Sequence, residues 1–422
     1  MQFFFNTLKV LSILFLIIRN RLVCDIIQLR YTTNEQKKDV ILDNIGKKIV
    51  LLLPKLGPAF IKVGQFLATR PDFIGESMCK NLEKLQDKLP PCNFDYIKPI
   101  IARSLKIDKF QYIEPIAVAA ASIAQVHKAQ THDGDFVAIK VLRPGIEAKF
   151  KENISLMKFL AKIIDKFFDV KRLRLEETVL RIERMSRLEI DLRMEAASAD
   201  KLRKNLANDK DVYVPKIFWE HVTQNVLVLE WIDGIPLYDR QKLIENGFDL
   251  HSITRKFAIT FFNQAYRDGF FHADLHQGNV LINSKEQIVF LDFGIMGHLD
   301  YQNRLFVAEI LKSFLERNYD RVSQLYLEAG FISKSESIQI FSLACRSIGE
   351  AILNKPTNEV SISSLLKQLF DTAKNFNMEI QPELLLMQKA MVIVEGISIS
   401  FDNNSNIWLL IEPWIKLSLI HI

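Results

Sequence analysis

The chain has 422 residues, 49% of them hydrophobic and 30 of them phenylalanine, enough apolar material for two or three domains with large cores. A formal net charge of +5 is too small at this length to point to nucleic acid, although a mild basic excess suits an anionic membrane surface. Cys24, Cys79, Cys92 and Cys345 are scattered and form no CxxC pair, which argues against a zinc site and a disulfide framework and leaves a reducing, cytoplasmic-side compartment as the simplest setting.

In chain order, the first element is an apolar run at 3–18 broken by Asn6, Thr7, Lys9 and Ser12 and followed by Arg19 and Arg21. It is short for a spanning helix and lacks the basic leader and small-residue cleavage site of a secretion signal. An interfacial helix anchored by the arginines is the preferred expectation, with a helix packed on the protein's own surface as the alternative. Residues 36–56 read as a helix of mixed charge. Gly57-Pro58 opens a further helix, since proline fits a first turn. Ala59, Phe60, Val63, Phe66 and Leu67 give that helix an apolar face, and Lys62 and Gln65 share another side. By pattern alone those two polar residues are simply solvated. A break follows at 87–91.

From 115 to 145 the pattern changes to β structure, with strands at 122–129 and 136–142 joined by a turn at Asp133-Gly134. Val137-Ala138-Ile139-Lys140 matches the strand whose lysine grips nucleotide phosphates in a kinase-type small lobe, and a lysine between apolar strand residues needs a charged partner. An edge-strand lysine is the plainer alternative. The stretch before the hairpin is Ala119-Ala120-Ala121-Ser122, where a kinase carries glycines. Alanine disfavours positive φ, so a loop here is stiffer and holds nucleotide differently; the other reading is an alanine-rich helix start. Residues 146–210 read as helical and charged. On a helix through 187–197, Asp191 and Glu195 share a face and Glu189 points elsewhere. The strand at 226–231 leads to Asp233-Gly234-Ile235-Pro236-Leu237, which suits an inter-lobe hinge, and a helix at 252–268 follows.

The densest stretch is 268–297. His272-Ala273-Asp274-Leu275-His276-Gln277-Gly278-Asn279 precedes a short hairpin, with strands at 280–282 and 288–291 and a turn at 283–287, and Asp292-Phe293-Gly294 closes it. Asp, Asn and Asp-Phe-Gly in this order are the parts of a phosphoryl-transfer site. Asp274 accepts a proton or orients the nucleophile, and Asn279 and Asp292 supply hard oxygen ligands for Mg²⁺. Read blandly, they are turn residues and a strand-end cap. No Ala-Pro-Glu follows, so the activation segment of a kinase of proteins is missing. A helix at 302–317 and an amphipathic helical bundle to about 400 complete the chain, with loops near 354–358 and 403–406.

With these residues on the page, the chain from about 50 to about 415 resembles the UbiB/ADCK family of atypical kinase-like proteins. The resemblance rests on Lys62-Val63-Gly64-Gln65 (KxGQ), the alanine-rich loop 119–122, Val137–Lys140 and Glu189-Ile190-Asp191 (ExD). It rests further on Glu195, 272–279, Asp292-Phe293-Gly294, Gln381-Pro382-Glu383-Leu384 and Glu395-Gly396. It implies an α+β, protein-kinase-like two-lobed fold with an N-terminal helical KxGQ extension and a helical C-terminal lobe. The division so implied is a membrane-associating segment at 1–30, the extension at 31–112, an N-lobe at 113–235 and a C-lobe at 236–422.

In such a protein Lys62 and Gln65 become site residues facing Glu189 and Asp191, and Lys140 pairs with Glu195. Ala119, Ala120, Ala121 and Ser122 cover the nucleotide, Asp274 is the base-like residue, and Asn279 and Asp292 hold Mg²⁺. ATP and Mg²⁺ are the expected cofactors. Quinone-biosynthesis intermediates or enzymes and an anionic membrane surface are the expected partners, with no nucleic acid; the oligomeric state stays open, a homodimer included. The expected location is the cytoplasmic side of a bacterial inner membrane, and the function is support of ubiquinone biosynthesis by an ATPase or kinase. Bacterial members often end in a pair of transmembrane helices, whereas the stretch after Trp408–Ile415 is too short and interrupted to span, which shifts the expected anchor to 3–18. No flavin or haem motif supports a monooxygenase reading. Three other functions remain: a nucleotide-binding scaffold without turnover, a protein kinase, and a soluble kinase of small hydroxylated molecules.

Overall fold

The computed structural model describes residues 19–68, 74, 76–82, 85, 90–105, 109–167, 175–330, 337–353, 361–376 and 381–401. The apolar run at 3–18, most of the break at 87–91, the loops near 354–358 and 403–406 and the stretch Trp408–Ile415 lie outside the described residues. The chain divides into two compact units, one of residues 1–196 and 217–231, the other of residues 197–216 and 232–422.

In the first unit, helices α1 (Leu22–Tyr31), α2 (Glu35–Leu56), α3 (Pro58–Ala68) and α4 (Glu76–Leu82) come first. Asn34 caps α2 by accepting a hydrogen bond from the Lys37 amide at 3.2 Å. Gly57 takes φ +119°, and the chain restarts as α3 at Pro58. Gly64 lets α3 approach closely, since a Cβ there would collide with Leu53 and Leu85.

Helix α5 (Phe94–Ser104) precedes a sheet built from β1 (Phe110–Ile113), β2 (Ala119–Ala120), β3 (Ala124–Thr131), β4 (Phe136–Leu142) and β6 (Val226–Glu230). The strand order is β1-β3-β4-β6, all antiparallel, with β2 folded back on β3. Alternation along β4 buries Val137, Ile139 and Val141 in one cluster with Ile97 and Ile101 of α5, and so turns Lys140 to the opposite face. The alanine-rich segment is extended, with Ala119 opposite Val126 and Ala120 opposite Gln125, and is not a helix start.

Helices α6 (Ile146–Phe167), α7 (Leu175–Glu189) and α8 (Leu192–Asn205) follow, the division of the chain falling within α8 after Ala196. The single helix expected through 187–197 is in fact two. Asp191 lies between α7 and α8, and its Oδ1 accepts from the Arg193 amide at 3.1 Å. A short carboxylate competes with the helical ladder for backbone N–H groups, which makes Asp191 a helix start and removes the shared face with Glu195.

In the second unit, β5 (Val212–Tyr213), β10 (Ile288–Phe290), β9 (Val280–Ile282) and β7 (Ile235–Pro236) form one sheet in that order. β8 (Phe270–His272) pairs with β11 (Met296–His298) in a second, so that Phe271 lies opposite Gly297. Helices α9 (Arg240–Glu245) and α10 (Leu250–Phe262) precede these, and α10 gives way to one wider π turn over Asn263–Arg267. Phe257, Phe261, Phe262, Tyr266, Phe271 and Phe290 are fully buried around it. Helices α11 (Tyr301–Leu315), α12 (Tyr319–Glu328), α13 (Ile338–Leu353), α14 (Ile362–Asn375) and α15 (Pro382–Phe401) follow. Among the described residues α15 is the one helix long and apolar enough to cross a membrane; half of that apolar stretch is buried within the protein, and α15 packs on α10 and α14.

Candidate functional site

The first unit carries one group of candidate residues. Lys140 extends from β4, and its Nζ donates to Glu195 Oε1 of α8 at 2.6 Å, with the side chains 12% and 7% exposed. Lys62 of α3 meets Glu189, the last residue of α7, at 3.2 Å. Gln65, one turn further along α3, has a buried Oε1 with no hydrogen-bond partner. Asp191 does not join this pair. Arg193 grips it as a fork, through Nε at 2.8 Å and Nη2 at 2.7 Å, and these bonds hold its carboxyl below the usual carboxylate range. Ser122 is buried with an unpartnered hydroxyl.

Sequence reasoning overlooked Arg143, just after β4. Its Nε donates to the Ala121 carbonyl at 2.8 Å and its Nη2 to the Pro90 carbonyl at 2.9 Å, and its Nη1 lies 3.3 Å from Cys92 Sγ. Gln125 holds the same stretch, accepting from the Cys92 amide at 2.8 Å and donating to the Cys92 carbonyl at 3.3 Å. The alanine-rich turn is thus fixed by a guanidinium outside it. An arginine directly after a lysine-bearing strand was the available signal.

The second unit carries the other group. Asp274 follows β8, and Asn279 ends a short turn before β9. Asp292 lies just beyond β10, whose Phe290 pairs with Val280. The Leu291 amide donates to the Asn279 carbonyl at 3.0 Å, which keeps the two metal-ligand candidates on adjacent strands. Asn279 donates its amide nitrogen to the Asp274 carbonyl at 3.4 Å, and its Oδ1 is the side-chain atom able to ligate a cation. Asp292 Oδ1 accepts from the Gly294 amide at 2.9 Å. Two hard oxygen side chains brought together by strand pairing fit Mg²⁺, which takes few protein ligands and completes its shell with phosphate and water.

His272 joins these segments. Its Nδ1 accepts from the Asp274 amide at 3.1 Å and its Nε2 bonds the Asp292 carbonyl. One nitrogen must accept and the other must donate, so the ring is the neutral Nε2–H tautomer. Burial lowers its pKa. Asp274 itself lies between two nitrogens: Lys389 Nζ of α15 is 3.5 Å from Oδ1, and His276 Nε2 is 3.9 Å from Oδ2. Lys389 was also missed, because a lysine in an apolar helix has no local motif to mark it.

A β4 lysine held by a helix carboxylate in one unit, and an Asp, Asn and Asp-Phe-Gly hairpin in the other, define a mixed α+β protein-kinase-like fold. Residues 84–326 match the ABC1 atypical kinase-like domain and residues 345–406 match the UbiB helical domain. The chain is 36% identical over 379 residues to the probable protein kinase UbiB of Marinobacter nauticus, spanning 88% of this chain and 69% of that protein. It is 35% identical over 377 residues to the probable protein kinase UbiB of Azotobacter vinelandii, spanning 87% and 70%. Among solved structures, the Rv3197–erythromycin complex from Mycobacterium tuberculosis shares the fold, with a TM-score of 0.52 and 21% identity over 83% of this chain and 94% of that one. The chain belongs to the UbiB family of ABC1 atypical kinase-like proteins.

Proposed function

We propose that this protein binds Mg-ATP and transfers or hydrolyses its terminal phosphoryl group in support of ubiquinone biosynthesis, working at the cytoplasmic face of a bacterial membrane. The observation that carries the proposal is the Lys140–Glu195 contact at 2.6 Å. Burying both charges is expensive in desolvation, so a hydrophobic pair would serve stability as well; a lysine held in place to meet phosphates gives the pair a purpose. Asp274 takes the proton from an attacking hydroxyl or water as the new bond to phosphorus forms and the bond to the ADP oxygen breaks. Asn279 and Asp292 would hold Mg²⁺, which supplies charge neutralisation at the phosphates when bound. The quinone role rests on kinship with proteins named probable protein kinase UbiB, and the membrane setting on the apolar run at 3–18 and the mild basic excess of the sequence.

The test is ATP hydrolysis by the purified protein, with and without anionic liposomes and a phenolic quinone precursor, using Asp292→Asn as control. Mg-dependent turnover that rises with lipid and vanishes in the variant supports the proposal. Nucleotide binding without turnover favours a scaffold instead.

A further inference from the structure

The loop from His272 to Asn279 contains no lysine or arginine, so the candidate base Asp274 has no strong cation of its own. His276 is the nearest local group. Its Nδ1 accepts from the Gly278 amide at 3.2 Å, which turns Nε2 toward Asp274 Oδ2 at 3.9 Å, beyond hydrogen-bond reach. The closer cation arrives from more than a hundred residues away. Lys389 Nζ lies 3.5 Å from Asp274 Oδ1, on the side of the carboxylate that His276 leaves open. Its place is set by its helix: Met387, Ala390 and Met391 on either side are buried, and Lys389 is only 36% exposed. The helix end nearest it is fixed as well, Asn303 donating to Gln381 at 2.8 Å.

We propose that Lys389 is a positioning residue for the phosphoryl-transfer site, holding the Asp274 carboxylate aimed so that it can receive the proton of the attacking group. The inference rests on the reading of Asp274 as the proton acceptor. It makes the helical domain at 345–406 a working part of that site as well as a scaffold. An ammonium 3.5 Å from one carboxylate oxygen restrains how that group turns, and a base must be correctly turned toward the proton it takes. An exposed pair with no such duty contributes little to stability, so the two accounts separate in kinetics.

The experiment measures Mg-ATP hydrolysis with anionic liposomes for the wild type, Lys389→Met, Lys389→Arg, Asp274→Asn and the double variant Lys389→Met/Asp274→Asn. Lys389→Met should lower kcat by about 10- to 100-fold while leaving KM for ATP within about twofold, because the interaction serves the transition state. Lys389→Arg should restore most of the rate. In the Asp274→Asn background, Lys389→Met should remove less than about a further twofold, since the two residues act as a unit. Lys389→Gln serves as a second neutral variant if Lys389→Met folds poorly. An unchanged kcat in both neutral variants, or the same fold-loss with and without Asp274, overturns the role of Lys389 and leaves the phosphoryl-transfer reading standing. A wild type without turnover, or an Asp274→Asn variant with full turnover, overturns that reading and the inference with it.

Discussion

Removing one partner of the Lys140–Glu195 pair should destabilise the first unit more than removing both. At 2.6 Å and an effective dielectric of about 20, the attraction is about 6 kcal/mol before desolvation is counted. Each ion gives back several kcal/mol on leaving water, so the net value of the intact pair is small. Lys140→Met takes the ammonium from a carboxylate only 7% exposed, and Glu195→Gln does the converse. Either change should cost about 3–5 kcal/mol, while Lys140→Met with Glu195→Leu should fall within about 2 kcal/mol of the wild type. The amides of β4 are bonded to β3 and β6, so native-state hydrogen exchange at β4 reads the opening of this sheet. A loss of about 3 kcal/mol accelerates that exchange roughly 100-fold. Exchange at the wild-type rate in the single variants, or a double variant as fast as the worse single one, would refute the reasoning.

Burial lowers the pKa of His272, His127 and His221, so each is neutral in the folded protein below its ordinary value near 6.5. The unfolded chain then takes up protons first as pH falls through 6.5, and stability, full above that value, declines on the acid side toward the lowered folded pKa values. Melting temperature should be level from pH 8 to about 7 and drop by pH 5.5; a flat profile excludes the effect, and His272→Gln should remove part of the slope. Gly297→Ala sets a methyl group into the ring of fully buried Phe271 and should cost about 1–3 kcal/mol, read as a lower melting temperature. Ala120→Gly and Arg143→Ala both loosen the alanine-rich turn, one in its backbone and one at its anchor, and should shift ATP or ADP affinity in the same direction by calorimetry. Unchanged binding in both would mean that the turn does not cover phosphate.

Where a residue's type and its spacing both matter, the sequence was readable. Val137–Lys140 reads as a strand because apolar residues alternate around a lysine, and the hairpin at 280–290 reads from two apolar runs around Asn283 and Ser284. The helix start at Pro58 needed only the Gly-Pro pair. The break between α7 and α8 was hidden because neither glycine nor proline marks it; the stop comes from Asp191 bonding its own backbone two residues on. The strand at Ala119–Ala120 was hidden for the opposite reason, since alanine has little β preference and the extended form is imposed by pairing with β3. Of the candidate site, the hairpin residues stood out by pattern, whereas Lys62, Gln65, Glu189 and Asp191 read as solvated helix residues and entered only through the family resemblance. Lys389 and Arg143 were not visible, because their importance comes from contacts with distant residues.

The bonds around residues 90–92 also bear on where the chain can change its length. Cys92 is held in register by Gln125 on both its amide and its carbonyl, and Pro90 is fixed by Arg143. One added residue here would move each of these groups by a full peptide and disconnect the alanine-rich turn's anchor from its second support. At Asp133-Gly134, where Gly134 has positive φ and open space around it, the same addition would only lengthen a surface turn. Insertions in related chains should therefore collect at the hairpin tip and be purged from residues 90–92.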